Sequence, residues 1–265
     1  MRALLQGAAM VLFLLAGRVW PRVRGVHLIN RDLVFNLANG ALIFLVLGLP
    51  LGLVTAHVEI GLVPMDWLTW GPAQLLVAFV ALDLSRYWLH RAGHRVPLLW
   101  RFHRVHHSAE YLDSTTGLRM HAVDFLQLWA VPFLLFGVLF DTSTFATWVV
   151  PTAFGVGVVM DSFQHANLTF DLNKPWNRAW HRLLNNPHFH AWHHTRDGAL
   201  CDGNYGNTLV IWDRLFGTEV TRPVLPALYG LEDDQALEND VVGWQLLRSR
   251  RAVTDAAARS NQAPA

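Results

Sequence analysis

Three short segments hold most of the chemistry that this sequence offers: His90-Arg-Ala-Gly-His94, His103-Arg-Val-His106-His107 and His190-Ala-Trp-His193-His194. Residues three and four apart share one face of a helix. The segments therefore present eight imidazoles in sets of two, three and three. Imidazole is a good ligand for zinc, copper, iron and nickel. A zinc ion usually takes four ligands, so eight are too many for one ion and suit two. One such pair arises easily by chance among exposed histidines, but three compact clusters do not. A shared metal site follows from ligand type and spacing. The single cysteine, Cys201, excludes an intramolecular disulfide, a four-cysteine iron–sulfur centre and a thiolate-rich zinc site.

Other residues are placed to extend or support such a site. His121 and His165 fall where polar segments meet apolar ones, and both are expected as further ligands. Ligating imidazoles usually donate their second N–H to a carboxylate or a carbonyl. Asp83, Tyr87, His90 and His94 follow one helical face, and an aspartate in an apolar helix needs a partner. Asp83 and Tyr87 are thus expected to support the ligands. Asp161, four before His165, and Asp124, three after His121, are expected to do the same, although Asp124 reads equally well as a helix cap. His27, His57, His181 and His188 lie outside the spacing and read as structural.

The elements that must position these groups are apolar. Of 265 residues, 52% are hydrophobic and 15% charged, against about 25% charged in an ordinary soluble domain. Five apolar stretches stand out, near 3–17, 33–55, 73–89, 124–140 and 145–160. A spanning helix needs roughly 17–25 residues, which the second exceeds and the others approach. The first also resembles the core of a signal peptide, but no small-residue cleavage site follows it. Arginines 18, 22, 24 and 31 follow the first stretch, and 91, 95, 101, 104 and 119 follow the third. The loop 56–71 has no lysine or arginine. Basic loops favour the cytoplasm, so the histidines belong on that side. A tight turn at 141–144 returns the chain there. The expected architecture is all-α: a membrane bundle of about four transmembrane helices with a cytosolic, His-rich helical cap. The division is 1–72 for N-terminal membrane helices, 73–218 for the catalytic part and 219–265 for a C-terminal tail, mobile from about Arg248. A net charge of +1 gives no electrostatic reason to expect nucleic acid.

These clusters, in this order among apolar helices, resemble the fatty acid hydroxylase/sterol desaturase superfamily. The flanks are similar too: Trp100 to Ser108, Arg119-Met120-His121, His165-Ala166-Asn167, Asn186-Pro187, Asn204-Tyr205-Gly206 and Trp212 to Thr218. The resemblance runs from about Leu75 to Thr218. It implies that the eight cluster histidines are metal ligands, that His121 and His165 complete the site, and that Asn167 supports it. It also implies two iron ions, with zinc as a substitute in purified protein, O2 as co-substrate and a membrane lipid as substrate. Hydroxylation and desaturation are both within its range. No G-x-G-x-x-G dinucleotide fingerprint is present, so a separate reductase with a cytochrome or ferredoxin is expected to supply electrons. Near-exclusive use of arginine over lysine suggests a bacterial inner membrane. A zinc hydrolase on the same ligands is the main alternative, but no HExxH motif supplies its base. A transporter would place the histidines at mid-membrane. A haem subunit would need only one or two of them.

Overall fold

The computed structural model describes residues 2–25, 27, 29–55, 60–232 and 237–249. Its regular secondary structure is almost all helix. Helix α1 spans Arg2–Val19. Helix α2, Arg31–Ile43, continues through a π-turn at Phe44–Gly48 into α3, Leu49–Thr55. Asn30 starts it by accepting the Leu33 N–H, which satisfies one of the free donors of a helix N-terminus. Helix α4, Gly71–Arg95, opens with Pro72 where no N–H is missed.

Pro97 then decides the geometry. A residue before proline is pushed out of the helical region, and Val96 is extended (φ −99°, ψ 113°). The chain turns there into α5, Pro97–His107, which packs back on α4. The His90/His94 face and the His103/His106/His107 face are brought together by this turn.

After α5, a loop leads to α6 (Ala122–Phe125), a second π-turn (Leu126–Ala130) and α7 (Val131–Leu139). Helix α8, Val149–His165, returns along α4 and α1. Strands β1 (Val63–Pro64) and β2 (Phe140–Asp141) pair in parallel, tying the loop before α4 to the α7–α8 turn. Both α4 and α8 begin at that end and carry histidines at the other. At 1.5 Å per residue, His90 lies about 28 Å along α4 from Gly71. The core between α4, α7 and α8 holds Met65, Ala78, Leu82, Phe136, Phe145, Val149 and Ala153.

Two helices, Arg31–Gly52 and Ala122–Leu139, are long and apolar enough to cross a membrane, and α1 carries a shorter apolar run. Only 17% of the apolar window of the first is buried within the molecule. Phe44, Leu45, Val46 and Leu49 point outward uncovered. Such a surface suits lipid, not a protein core. Helices α4 and α8, which the sequence offers as further crossings, carry buried Asp83 and Asp161.

The cap consists of short helices: α9 (Pro175–His181), α10 (Pro187–His193), α11 (Gly198–Cys201), α12 (Ile211–Leu215) and α13 (Val241–Gln245). Residues beyond Thr218 join it: Leu231, Leu237 and Trp244 bury against Val105 of α5. Of the expected mobile tail, Arg248 pairs with Glu238 and Asp240, and the part from 250 onward lies outside the described residues. So does His57.

Candidate metal centre

The ends of α4, α5, α8 and α10 meet in a buried cluster of imidazoles. Two groups can be distinguished. His90, His94, His103, His107 and His193 form one, and His106, His165, His190 and His194 the other. Within each, the nitrogens able to ligate lie within 4.8 Å of one another. The groups adjoin, with the His107 and His194 rings stacked at 4.5 Å. All eight cluster histidines are in these two groups, together with His165.

Local sequence explains each contribution. His90 and His94 leave the last turns of α4, and His103, His106 and His107 lie on the buried face of α5. Asn186 caps α10 by accepting the His188 and Phe189 N–H groups, and Pro187 takes the first position. The short helix so started carries His190 and His193. Asn204 adopts a left-handed conformation (φ 58°), which asparagine tolerates better than most residues. Its side chain donates to the Phe189 and Val220 carbonyls and locks the loop beneath α10.

The second nitrogens fix the tautomers. Nδ1 of His90 donates to the Tyr205 carbonyl, Nδ1 of His193 to Gly203, Nδ1 of His106 to Arg119 and Nδ1 of His165 to Asp161. Nδ1 of His103 lies 2.9 Å from the Asp124 carboxylate. A carbonyl can only accept, so each of these rings, if neutral, has a bare Nε2. Yet Nε2 of His90 lies 3.1 Å from Nε2 of His103, and Nε2 of His165 lies 3.1 Å from Nε2 of His106. Lone pairs facing at that distance repel unless a cation binds them. Nitrogens sharing a tetrahedral ion at roughly 2.0–2.1 Å would lie about 3.4 Å apart, close to what is seen. Nε2 of His193 is buried without a hydrogen-bond partner among the described residues. Burial, reinforced by neighbouring imidazoles, holds His106, His107, His190 and His194 well below the ordinary histidine pKa, and His193 down to about 3. Neutral, converging, bare nitrogens are what a metal ion requires, and the site fits a pair of them.

Several expected roles are corrected. His121 is in neither group: its Nδ1 accepts the Val123 N–H as the cap of α6, and its Nε2 faces the Gln245 carbonyl. With both ring nitrogens engaged, it has none left for a metal. Asp83 touches no imidazole. It accepts from the Thr208 and Leu209 N–H groups and the Trp212 indole, pinning the cap to α4. Tyr87 bonds Thr218 instead of a ligand. Asn167 bonds both the N–H and the carbonyl of Val23 and fastens the loop after α1. Asp124 does meet His103. Asp161 serves His165 chiefly through its carbonyl, its carboxylate standing 3.8 Å away.

Four partners were not foreseen: the carbonyls of Tyr205, Gly203 and Arg119, and the carboxylate of Asp202, 3.4 Å from His94 Nδ1 but without hydrogen-bond alignment. A backbone carbonyl leaves no trace in residue type. The only available signal was that Tyr205 and Arg119 stand in segments resembling the family's flanks.

The fatty acid hydroxylase profile matches residues 75–218. An alkylglycerol monooxygenase of Danio rerio is 30% identical over 211 residues, covering 75% of this chain and 43% of its own. An ornithine lipid hydroxylase of Rhizobium tropici is 30% identical over 148 residues, covering 55% of this chain and 41% of its own. A putative methylsterol monooxygenase of Dictyostelium discoideum is 29% identical, covering 53% and 48%. The chain thus spans less than half the length of these relatives. No solved structure matches it. Because the profile covers more than half of the chain and includes every imidazole of both groups, the protein belongs to the fatty acid hydroxylase family, within the fatty acid hydroxylase/sterol desaturase superfamily.

Proposed function

We propose that the protein is a membrane-bound, O2-dependent lipid hydroxylase whose two imidazole groups hold a pair of iron ions. The observation that carries this reading is the convergence of nine imidazoles, eight of them buried and His90 partly so, in two adjoining groups. His90, His94, His103, His107 and His193 would hold one ion, and His106, His165, His190 and His194 the other. Iron there would supply the oxygen-activating redox chemistry that no side chain can.

The protein's own residues have definite tasks. The carbonyls of Tyr205, Gly203, Arg119 and Asp161 orient the rings, and Asp124 increases the basicity of His103. The cap closes the centre off from water on the side away from the bilayer. A narrow cleft reaches His90, His103, His106, His165 and His190, and beside it lies an apolar groove walled by residues of the membrane-suited helices. That arrangement suits a substrate arriving from the bilayer. The arginines at the histidine end support a cytoplasmic centre. Electrons would come from a separate protein. Relatives named as monooxygenases and hydroxylases of lipids support the reaction class.

The test is iron-loaded protein in lipid nanodiscs, supplied with a chemical reductant and 18O2. Incorporation of one 18O atom into a lipid alcohol is expected, with two irons per chain. Two zinc ions, no oxygen incorporation and release of a hydrolysis product would overturn it in favour of a hydrolase.

A further inference from the structure

Three cavities meet at one side chain. The apolar groove has a volume of about 320 Å³ and lies among α1, the α2–α3 helix, α7 and α8. The cleft at the histidines is far smaller, about 40 Å³. A third, of about 20 Å³, lies between α4, α7 and α8. Trp129 lines all three.

The indole is held in place from two directions. The Arg86 guanidinium carbon sits 4.1 Å from its ring centroid, within cation–π range. Phe154 of α8 meets its edge, with centroids 5.4 Å apart at 73°. Trp129 belongs to the π-turn Leu126–Ala130, an irregularity frequent at functional sites. The other π-turn also lines the groove, through Phe44 and Gly48. Arg86 makes no hydrogen bond or ion pair with a described residue; the Trp129 ring and the more distant charges of Asp161 and Asp83 are what it faces. Helix α8 leaves room for it: a Cβ at Gly157 would lie 2.7 Å from Arg86 Nη1, so that the end of the arginine side chain would have to shift off its present place.

We infer that Trp129, clamped by Arg86, is the specificity-determining partition between the groove and the histidine cleft. It passes a single open-chain segment and stops a fused-ring skeleton. The inference rests on the lipid reading above and deepens it by naming an alkyl or acyl chain, not a sterol, as the part that reaches the centre. The physical reason is the disparity of the two spaces. The groove accommodates a bulky apolar body, whereas the cleft has room for a few methylene groups unless the indole moves. A flexible chain can enter end-on beside Trp129, but a rigid ring system cannot fold to do so.

The experiment places paramagnetic Co2+ in the histidine centre, with Zn2+ as the diamagnetic reference, in nanodiscs. The probes are an octadecyl lipid fluorinated at the chain end and a ring-fluorinated sterol. Broadening of the 19F line by Co2+ reports approach to the centre and needs no turnover. In the wild type, the chain probe is expected to broaden severalfold and the sterol probe to remain sharp. In Trp129→Ala and Trp129→Leu both should broaden, Arg86→Met should give a partial effect, and Trp129→Phe should keep the discrimination. Thermal melting checks that each variant is folded, and the two truncations guard against the failure of either. Equal broadening of both probes in the wild type overturns the partition while leaving the proposed function intact, as does discrimination unchanged in both truncations. If neither probe broadens in Co2+-loaded wild type, the lipid reading falls and the partition with it.

Discussion

At the scale of residues, the distinction is between a nitrogen aimed at a shared centre and one already occupied. His121 and His165 look alike in sequence, each at the edge of an apolar stretch, but only His165 has a bare Nε2 facing other ligands. His165→Ala is therefore expected to reduce bound metal from two ions to about one, while His121→Ala keeps both and lowers only the melting temperature. Metal analysis of the purified variants decides this, and loss of an ion in His121→Ala would refute the assignment. Asp124→Ala removes the acceptor of His103 Nδ1 and should weaken metal binding roughly 10- to 100-fold. Asp124→Asn keeps an acceptor oxygen and should lose less. Protonation gives a third test. An unperturbed imidazole is about half protonated at pH 6.5, whereas His106, His107, His190, His193 and His194 are held neutral there by burial. Because their pKa values lie below that pH, metal uptake at pH 6.5 should release far less than half a proton for each. Calorimetry in buffers of different ionisation enthalpy measures the number.

At the scale of elements, the centre depends on how α4 is fastened to the cap. Asp83 accepts three donors from the segment Thr208–Trp212, just after the loop whose Tyr205 and Gly203 carbonyls orient His90 and His193. Asp83→Ala leaves two backbone N–H groups and an indole without their acceptor, each worth about 1–3 kcal/mol when buried. It should destabilise the protein by several kcal/mol in denaturant unfolding, and weaken metal at the five-imidazole group more than at the four. Equal loss from both would indicate general unfolding instead of a local role. The break at Val96–Pro97 is legible in sequence, since proline restricts its predecessor. Its effect, laying α5 back along α4, is not, because the loop direction is set by what α5 packs against. The fastening role of Asp83 was equally hidden: its helical spacing pointed to His90, but its carboxylate faces a segment 125 residues later.

At the scale of the whole molecule, ligands from four helices close one centre, so metal should stabilise the entire fold. Stripping metal with a chelator leaves buried, facing lone pairs and is expected to lower the melting temperature by ten degrees or more, on the order of the several kcal/mol that a tightly bound ion contributes. Restoring Zn2+ or Fe2+ should recover it; an unchanged melting curve would show that the imidazoles do not bind metal. The uncovered apolar faces of Arg31–Gly52 and Ala122–Leu139 predict that the protein stays with the membrane on carbonate extraction. Release into the soluble fraction would place those faces against another protein.

The sequence by itself determined the eight cluster histidines as candidate ligands, the helical spacing that gathers them in twos and threes, the apolar helices and the family, because each of these is local in the chain or carried by residue type; it overreached at His121. Only the tertiary structure decided how the imidazoles divide, with His106 and His107, neighbours in sequence, going to different groups. It alone showed which Nδ1 groups meet carbonyls, that Asp83, Tyr87 and Asn167 are fasteners, and that His121 is a cap. The reason is that backbone acceptors have no signature in residue type. For Asp83, Tyr87, Asn167 and His121 the partner is also chosen by packing between segments more than a hundred residues apart, which helical periodicity does not record.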